Sequence, residues 1–216
     1  MKPVAFPLIR DTYPLILASE SPRRSELMAQ AGIPFRIVVS GVEEVAVSQD
    51  PAGLACVLAR RKTLEVSAKT DPSWILGADT LVVVEDRILG KPEDKADARD
   101  MLLQLSGSVH QVITGFCLSN PAGEIVHSEA VTTDVYFKKL SVHEITAYVA
   151  TGEPEGKAGA YAIQGIGAFM VASISGSYTN VVGLPLCAVI KALVRTGALE
   201  QYPFNLDAAV LKSRTI

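Results

Sequence analysis

The sequence predicts an α/β protein with a mixed, twisted sheet in two lobes. Apolar runs with strand character alternate with helical patterns that begin at proline-containing caps and end near glycines. Two predicted hairpins interrupt this alternation, so the sheet is not purely parallel. The chain has 216 residues, of which 49% are hydrophobic and 20% charged, enough for a packed core. We therefore expect residues 1–216 to form a single domain with two lobes.

The first strand and the first helix form the most informative stretch. Leu15–Ala18 is an apolar run typical of a buried strand, and Ser21 and Pro22 suit the N-cap and first residue of the following helix. Arg23 and Arg24 then occupy the first helical turn, where the helix dipole disfavours positive charge. Two arginines at this place indicate a phosphate site, although solvated arginines on a surface helix are the alternative.

The middle of the chain continues with strand-like and helical segments. Phe35–Val39 and Trp74–Val84 are strand-like, and the second run is predicted to be interrupted by the small and polar residues Gly77–Thr80. Between them, the helix that starts at Asp50-Pro51 runs to about Ala68. A return strand and a third helix are predicted at Arg87–Leu89 and at about Asp94–Leu105.

The second half of the chain is predicted to start with a long hairpin. Val109–Leu118 and Ile125–Phe137 are rich in β-formers and flank an Asn-Pro-Ala-Gly turn. Ser141 and Glu144 then have the spacing of a capping box for a helix that ends near Thr151. The remaining predicted segments are a strand at Phe169–Ile174, a loop at Gly176–Gly183 and a helix at Pro185–Thr196.

Charge, cysteine content and hydropathy narrow the classes of function. The net charge of −3 argues against a nucleic-acid-binding surface, which needs an excess of basic residues. The three isolated cysteines are typical of buried thiols in a reducing compartment. The N-terminal residues lack the pattern of a signal peptide, and no apolar run approaches the roughly 20 residues of a membrane span. We therefore expect a cytoplasmic protein that binds neither nucleic acid nor membrane.

Two carboxylates are candidates for metal binding. Asp79 lies within a mostly apolar strand, where an isolated charge is costly unless it is paired or bound to a cation. Asp79 is therefore a metal ligand, a general base or the cap of a turn. Glu44 follows the second strand beside Glu43, in a pair that is also typical of a solvated loop. If Glu44 and Asp79 converge, their oxygens suit Mg²⁺ or Mn²⁺.

Two lysines are candidates for additional cations at the site. Lys62 projects near the apolar face of the long helix, and Lys91 lies in a short loop between Gly90 and Pro92. Each is also typical of a solvated surface lysine. The segment Gly152–Ala158 is one residue too short for a Walker loop and has alanine where Ser or Thr would bind Mg²⁺, which disfavours a kinase or GTPase.

Seven motifs occur in a fixed order along most of the chain: ASESPRR, GADT, GKP, LSG followed by His110, Thr114-Gly115, KAGAYAIQG and GSYTNVVGLPL. Together they are similar to the motifs of the Maf family of nucleoside triphosphate pyrophosphatases, first associated with septum formation. The resemblance implies a fold related to inosine triphosphate pyrophosphatases, with the site in a central cleft between the lobes. It also implies a homodimer that hydrolyses a small-molecule nucleoside triphosphate to the monophosphate and pyrophosphate, with a divalent metal.

The resemblance also implies roles for individual residues. Asp79 would be the catalytic acid-base residue and, with Glu44, a metal ligand. The residues implied to bind the nucleotide alongside them are Ser19, Arg23, Arg24, Lys62 and Lys91.

Within the family, the subgroup that acts on dTTP and UTP is the most similar to this chain. The similarity lies at Arg23, Thr80 and Gln164, and the amide of Gln164 suits thymine or uracil in one orientation and cytosine in the other. Gly156 and Ser108 depart from the usual family residues. The alternatives are a pyrophosphatase of the 7-methyl-GTP type and a nucleotide-binding regulator of cell division without turnover.

Overall fold

The structure is a computed structural model that describes residues 14–42, 50–200 and 202–203. Within these residues, seven strands form one mixed sheet, which confirms the predicted α/β class. The strands are β1 Leu15–Ala18, β2 Arg36–Ile37, β3 Trp74–Val84, β4 Arg87–Leu89, β5 Val109–Ser119, β6 Ile125–Phe137 and β7 Val171–Ser175. The helices are α1 Pro22–Gln30, α2 Pro51–Ser67, α3 Lys95–Leu105, α4 Val142–Ala150, α5 Tyr178–Val182 and α6 Leu186–Arg195. Short 3-10 turns occupy Ala158–Ala160 and Ile166–Met170.

The order of the strands leaves a gap beside the middle of β3. The sheet runs β2-β1-β3-β5-β6-β7, with β4 also paired to β3. β1 is parallel to β2 and β3, and the other pairings are antiparallel. β5 covers one edge of β3, whereas β1 pairs with Trp74–Gly77 and β4 pairs with Val82–Val84. Both partners therefore share the other edge, and Ala78–Leu81 lie between them.

β3 is continuous, so the predicted interruption at Gly77–Thr80 is wrong. These residues pair with Thr114–Cys117 of β5 along the ladder. The glycines of this ladder allow α2 to pack closely against the sheet. A Cβ at Gly77 would lie 2.6 Å from the carbonyl oxygen of Ala59, and a Cβ at Gly115 would lie 2.5 Å from the backbone nitrogen of Cys56. The glycines that suggested a break therefore allow close contact between helix and strand.

Most of the other predicted elements are confirmed, with three differences. β2 is two residues long, shorter than predicted, and β7 begins at Val171 after a 3-10 turn that occupies the predicted start of the strand. The predicted loop at Gly176–Gly183 contains α5, because the Ser177 hydroxyl accepts a hydrogen bond from the N–H of Asn180 and caps this short helix. The long β5–β6 hairpin and the capping box of α4 are confirmed.

The described residues form apolar clusters on both faces of the sheet. One cluster joins β1, α1 and α6 to the first half of β3, and another joins the second half of β3 to β4, α3 and α4. On the opposite face, Leu58 of α2 packs with Leu81 and Ile113. The division into two lobes stays a prediction. Within the described parts of the chain, no helix is long and apolar enough to cross a membrane.

Candidate active site

A cavity of about 690 Å³ opens at the gap beside β3, a size typical of ligand sites. Its walls come from the ends of β1 and β4, the start of α1, one turn of α2 and the loops around α5 and the 3-10 turns. Glu44 lies outside the described residues, but Val42, two residues earlier, lines the cavity. The other predicted site residues all line it: Ser19, Arg23, Arg24, Lys62, Asp79, Thr80, Lys91 and Gln164.

The predicted catalytic carboxylate forms a buried ion pair. Nζ of Lys62 donates to Oδ1 of Asp79 at 2.6 Å, and the two residues are 7% and 3% exposed. The pair forms because Asp79 faces α2, opposite Gly115 in the ladder, and the missing side chain of Gly115 lets α2 approach. The lysine compensates a charge that would be costly alone. The carboxylate is thus held in one orientation at the cavity wall.

Arg24 connects three walls of the cavity. It is 8% exposed, and its Nε donates to the carbonyl oxygen of Gly183 at 2.8 Å. Its Nη1 donates to the hydroxyl of Ser19 and its Nη2 to the hydroxyl of Thr80, both at 3.0 Å. Although Ser21 is the N-cap residue of α1, its side chain makes no capping hydrogen bond. Arg24 therefore braces the site and carries positive charge within its wall.

Thr80 continues this polar chain away from the cavity. Its hydroxyl shares a hydrogen bond with that of Thr114 at 3.0 Å, and Thr114 donates to the carbonyl oxygen of Asn180 at 3.2 Å. Because neighbouring residues in a strand point to opposite faces, Thr80 faces α5 whereas Asp79 faces α2. The cavity reaches both faces because it lies at the edge of β3.

Arg23 and Lys157 bring positive charge to the cavity from two different segments. Burial lowers the pKa of Arg23, against the opposing effect of Glu26. Burial also lowers the pKa of Lys157, and the charge of Arg23 adds to this effect. Nζ of Lys157 donates to the backbone carbonyls of Glu153 and Glu155. Because Arg23 disfavours the charge of Lys157 and both cations line one cavity, they form a site suited to an anion.

The loop that follows Lys157 brings polar and aromatic groups to the cavity. Tyr161 and Gln164 line it, and the hydroxyl of Tyr161 lies 2.8 Å from Nε2 of His110. Burial lowers the pKa of His110 to about 4, so its ring is neutral at pH 7. Sequence reasoning did not single out Lys157 or Tyr161 as site residues. Both lie in the KAGAYAIQG motif, whose similarity to the family motif could have identified them.

The carboxylate of Asp79 fits a Mg²⁺ or Mn²⁺ ion that is also held by a substrate. Mg²⁺ usually binds to proteins through one or two carboxylates and takes its other ligands from water and phosphate oxygens. In the described part of the chain, no group of three or more His, Cys, Asp or Glu residues forms a metal cage. Asp79 and Glu20 are the acidic residues among the described lining of the cavity, and the metal-binding role of Glu44 stays a prediction.

Comparison with known proteins identifies similar chains. Residues 14–196 match the family model described as Maf-like protein. A dTTP/UTP pyrophosphatase of Geotalea uraniireducens is 52% identical over 187 residues, which cover 86% of this chain and 96% of that protein. A dTTP/UTP pyrophosphatase of Geobacter sulfurreducens is also 52% identical, over 86% of this chain and 97% of that protein. The enzyme of the same name from Pelotomaculum thermopropionicum is 46% identical over 85% and 96% of the two chains.

One solved structure also matches part of the chain. It is a nucleoside-triphosphatase, or dITP/XTP pyrophosphatase, of Mycobacterium abscessus, with 17% sequence identity and a TM-score of 0.37. The match covers 59% of this chain and 75% of that chain. This likeness is too slight to carry an argument.

Proposed function

Since this chain belongs to the Maf family, we propose that it hydrolyses dTTP and UTP to the monophosphate and pyrophosphate. The observation that carries the proposal is the cavity beside β3, where the Lys62–Asp79 pair shares one space with Arg23, Lys91 and Lys157. The relatives described above, which are named dTTP/UTP pyrophosphatases, support the choice of substrates.

The cations of the cavity suit a triphosphate chain. A nucleoside triphosphate carries several negative charges, and attack at the α-phosphorus places more charge on the departing pyrophosphate. Arg23 and Lys157 would bind phosphate oxygens from two walls of the cavity, with Lys91 as a third donor. Because each charged hydrogen bond contributes roughly 1.5–3 kcal/mol, loss of one cation should weaken activity without abolishing it.

Asp79 is the proposed proton acceptor for the attacking water. Of the two acidic residues in the described lining, Asp79 is buried and Glu20 is exposed. The ion pair with Lys62 fixes the orientation of the Asp79 carboxylate. Proton transfer to a positioned base typically accelerates such a reaction by about 10²–10⁴-fold. A bound Mg²⁺ or Mn²⁺ ion, held by Asp79 and Glu44 in this proposal, would supply charge stabilisation for the phosphate oxygens.

Gln164 and Thr80 are the proposed determinants of base choice. The amide of Gln164 would donate to O4 of a pyrimidine and accept from N3–H, which suits thymine and uracil. Gln164 is exposed at the cavity, so its side chain is accessible to a base. Thr80 contributes through its hydrogen bond with Arg24, which fixes the wall next to the Lys62–Asp79 pair.

Pyrophosphate release from dTTP, UTP, CTP and 7-methyl-GTP tests the proposal. The purified protein is assayed with Mg²⁺, with Mn²⁺ and with EDTA. We expect turnover of dTTP and UTP above that of the other two nucleotides, and loss of turnover in EDTA. A preference for 7-methyl-GTP would overturn the subgroup assignment, and binding of dTTP without turnover would support a regulator instead. Full activity in EDTA would overturn the metal requirement.

The proposal also covers the oligomeric state, the cellular compartment and the partners of the enzyme. We propose a homodimer in the cytoplasm that takes small-molecule nucleotides and binds neither nucleic acid nor membrane. Sedimentation at micromolar protein concentration, with and without dTTP, tests the dimer. Fractionation of cells tests the compartment and the membrane, and a gel-shift assay tests nucleic acid binding.

A further inference from the structure

The side chain of Glu153 ties together three segments near the cavity. Its Oε1 accepts hydrogen bonds from the hydroxyl of Tyr148 at 2.8 Å and from the backbone N–H of Gly167 at 2.9 Å. Its Oε2 accepts the backbone N–H of Ile166 at 2.8 Å. The Tyr148 hydroxyl in turn accepts the N–H of Ala162 at 3.3 Å. One carboxylate thus connects α4, the turn after it and both ends of the segment Ala162–Gly167.

The segment is packed closely around this carboxylate. A Cβ added at Gly165 would overlap the carboxylate of Glu153, and one added at Gly167 would lie 2.7 Å from the hydroxyl of Tyr148. Glycine at position 165 leaves room for the carboxylate of Glu153, and glycine at position 167 leaves room for the Tyr148 hydroxyl that Glu153 binds. The segment is therefore packed closely against the side chains of both Glu153 and Tyr148.

The same segment carries the side chains that face the base in the proposed complex. Ala162, Ile163 and Gln164 line the cavity and lie between the backbone groups that Glu153 and Tyr148 hold. The main chain of Glu153 accepts a hydrogen bond from Nζ of Lys157, which also lines the cavity. The residue itself is not part of the cavity lining, so it acts through its neighbours.

We propose that Glu153 is a positioning residue for nucleobase selection, which it exerts by fixing the backbone on either side of Gln164. This inference rests on the proposed function. An amide that discriminates uracil from cytosine must present one orientation, so the backbone that bears it must be held in place. Glu153 holds this backbone in place by accepting hydrogen bonds from two backbone N–H groups and one hydroxyl.

A carboxylate is required because all three groups donate. An ionised carboxylate only accepts, whereas the amide of glutamine has one oxygen and one NH₂ group that cannot accept. Burial raises the pKa of Glu153, but the hydrogen bonds from Gly167, Ile166 and Tyr148 outweigh it and hold the pKa below its usual value. Glu153→Gln keeps the size of the side chain but places an NH₂ group against at least one donor.

The test compares Glu153→Gln with Glu155→Gln, which removes an exposed acid from the same turn. For Glu153→Gln we expect the ratio of kcat/KM for UTP over CTP to fall about tenfold through a higher KM for UTP, with kcat for UTP kept within about threefold. Glu155→Gln should leave the ratio within about twofold of wild type. A merely structural role would lower activity towards both nucleotides equally, and that result would overturn the inference.

A second variant keeps the test decisive if Glu153→Gln does not fold. Tyr148→Phe removes only the hydroxyl between Glu153 and Ala162, and it should lower the UTP/CTP ratio by about threefold. An unchanged ratio in this variant would overturn the inference. A wild type that hydrolyses UTP and CTP equally well would also overturn it but leave the proposed hydrolysis standing. A wild type without any turnover would overturn both.

Discussion

The ammonium of Lys62 lies 2.6 Å from the carboxylate of Asp79, and both groups are buried at the wall of the cavity. α2 supplies the lysine and β3 supplies the aspartate. The two charges stabilise each other, because burial of an ion pair of this kind is favourable only when both partners are present.

Asp79→Asn should therefore affect activity and stability together. Turnover of dTTP should fall by about 10²–10⁴-fold because the proton acceptor is lost. The free energy of unfolding should fall by about 3 kcal/mol because the buried ion pair between Asp79 and Lys62 is lost. Pyrophosphate release and urea denaturation measure the two effects. The double variant with Lys62→Met should recover most of the stability and none of the activity, and an active double variant would contradict the role of Asp79.

A carboxylate placed next to Lys157 should weaken nucleotide binding. Gly156 lines the cavity with a φ of +70°, and a Cβ there would meet no atom within 4 Å. Gly156→Asp adds a negative charge, whereas Gly156→Asn adds the same shape and tolerates the same backbone without the charge. We expect KM for dTTP to be about threefold to tenfold higher in the Asp variant than in the Asn variant, with a smaller difference at high salt. Equal KM values would contradict the role of Lys157.

The buried neutral ring of His110 should make stability depend on pH. Its pKa is lowered to about 4 by burial, whereas the unfolded chain has an ordinary histidine that binds a proton below about pH 6.5. The unfolded state thus gains protons first as the pH falls, so stability is full above about pH 6.5 and is lost towards pH 4. The loss between about pH 7.5 and about pH 5 should be about 2 kcal/mol.

His110→Phe should remove this dependence, because phenylalanine also packs against Phe137 and Tyr161 without binding a proton. Urea denaturation at both pH values gives the comparison. The matched control is His143→Gln, since His143 is exposed and lies in the first turn of α4. A variant that keeps the full wild-type loss would show that another group titrates.

An alanine at Gly115 should destabilise the protein and misplace Lys62. The added methyl group would overlap the backbone of Ala55 in α2 and push the helix away from β3. The cost should be about 1–3 kcal/mol, with a loss of activity in the molecules that remain folded. Gly90→Ala is the control, because a Cβ there meets nothing within 4 Å. Thermal unfolding measures both variants, and equal melting temperatures would contradict the packing argument.

Most elements of the fold could be predicted from local signals. Proline at the start of α1 and α2, the capping box of α4 and the turn between β5 and β6 are encoded within a few residues. The continuity of β3 could not be predicted, because Gly77 is small for the sake of a helix that approaches from elsewhere in the chain. Local rules associate glycine with a break in a strand, whereas the close packing of α2 requires a glycine within β3.

The candidate site could likewise be predicted from the sequence only in part. The motifs identified the residues that line the cavity, but not which of them bind each other. Arg24 could be assigned to the site from its motif, but its hydrogen bond to the carbonyl oxygen of Gly183, 159 residues away in the chain, could not be predicted. The contacts of Glu153 could not be predicted either, because two of its three partners are backbone N–H groups, which any residue carries.

Asp79 and Thr80 are consecutive residues of one strand, and the pleat sends them to opposite sides of the sheet. Insertion or deletion of a single residue between Trp74 and Asp79 would exchange their sides and separate each from its partner helix. The contacts of Asp79 with Lys62 and of Thr80 with Arg24 therefore both depend on the length of this part of the strand. Insertions and deletions that leave hydrolysis intact should therefore occur in the surrounding loops, where extra residues disturb no alternation.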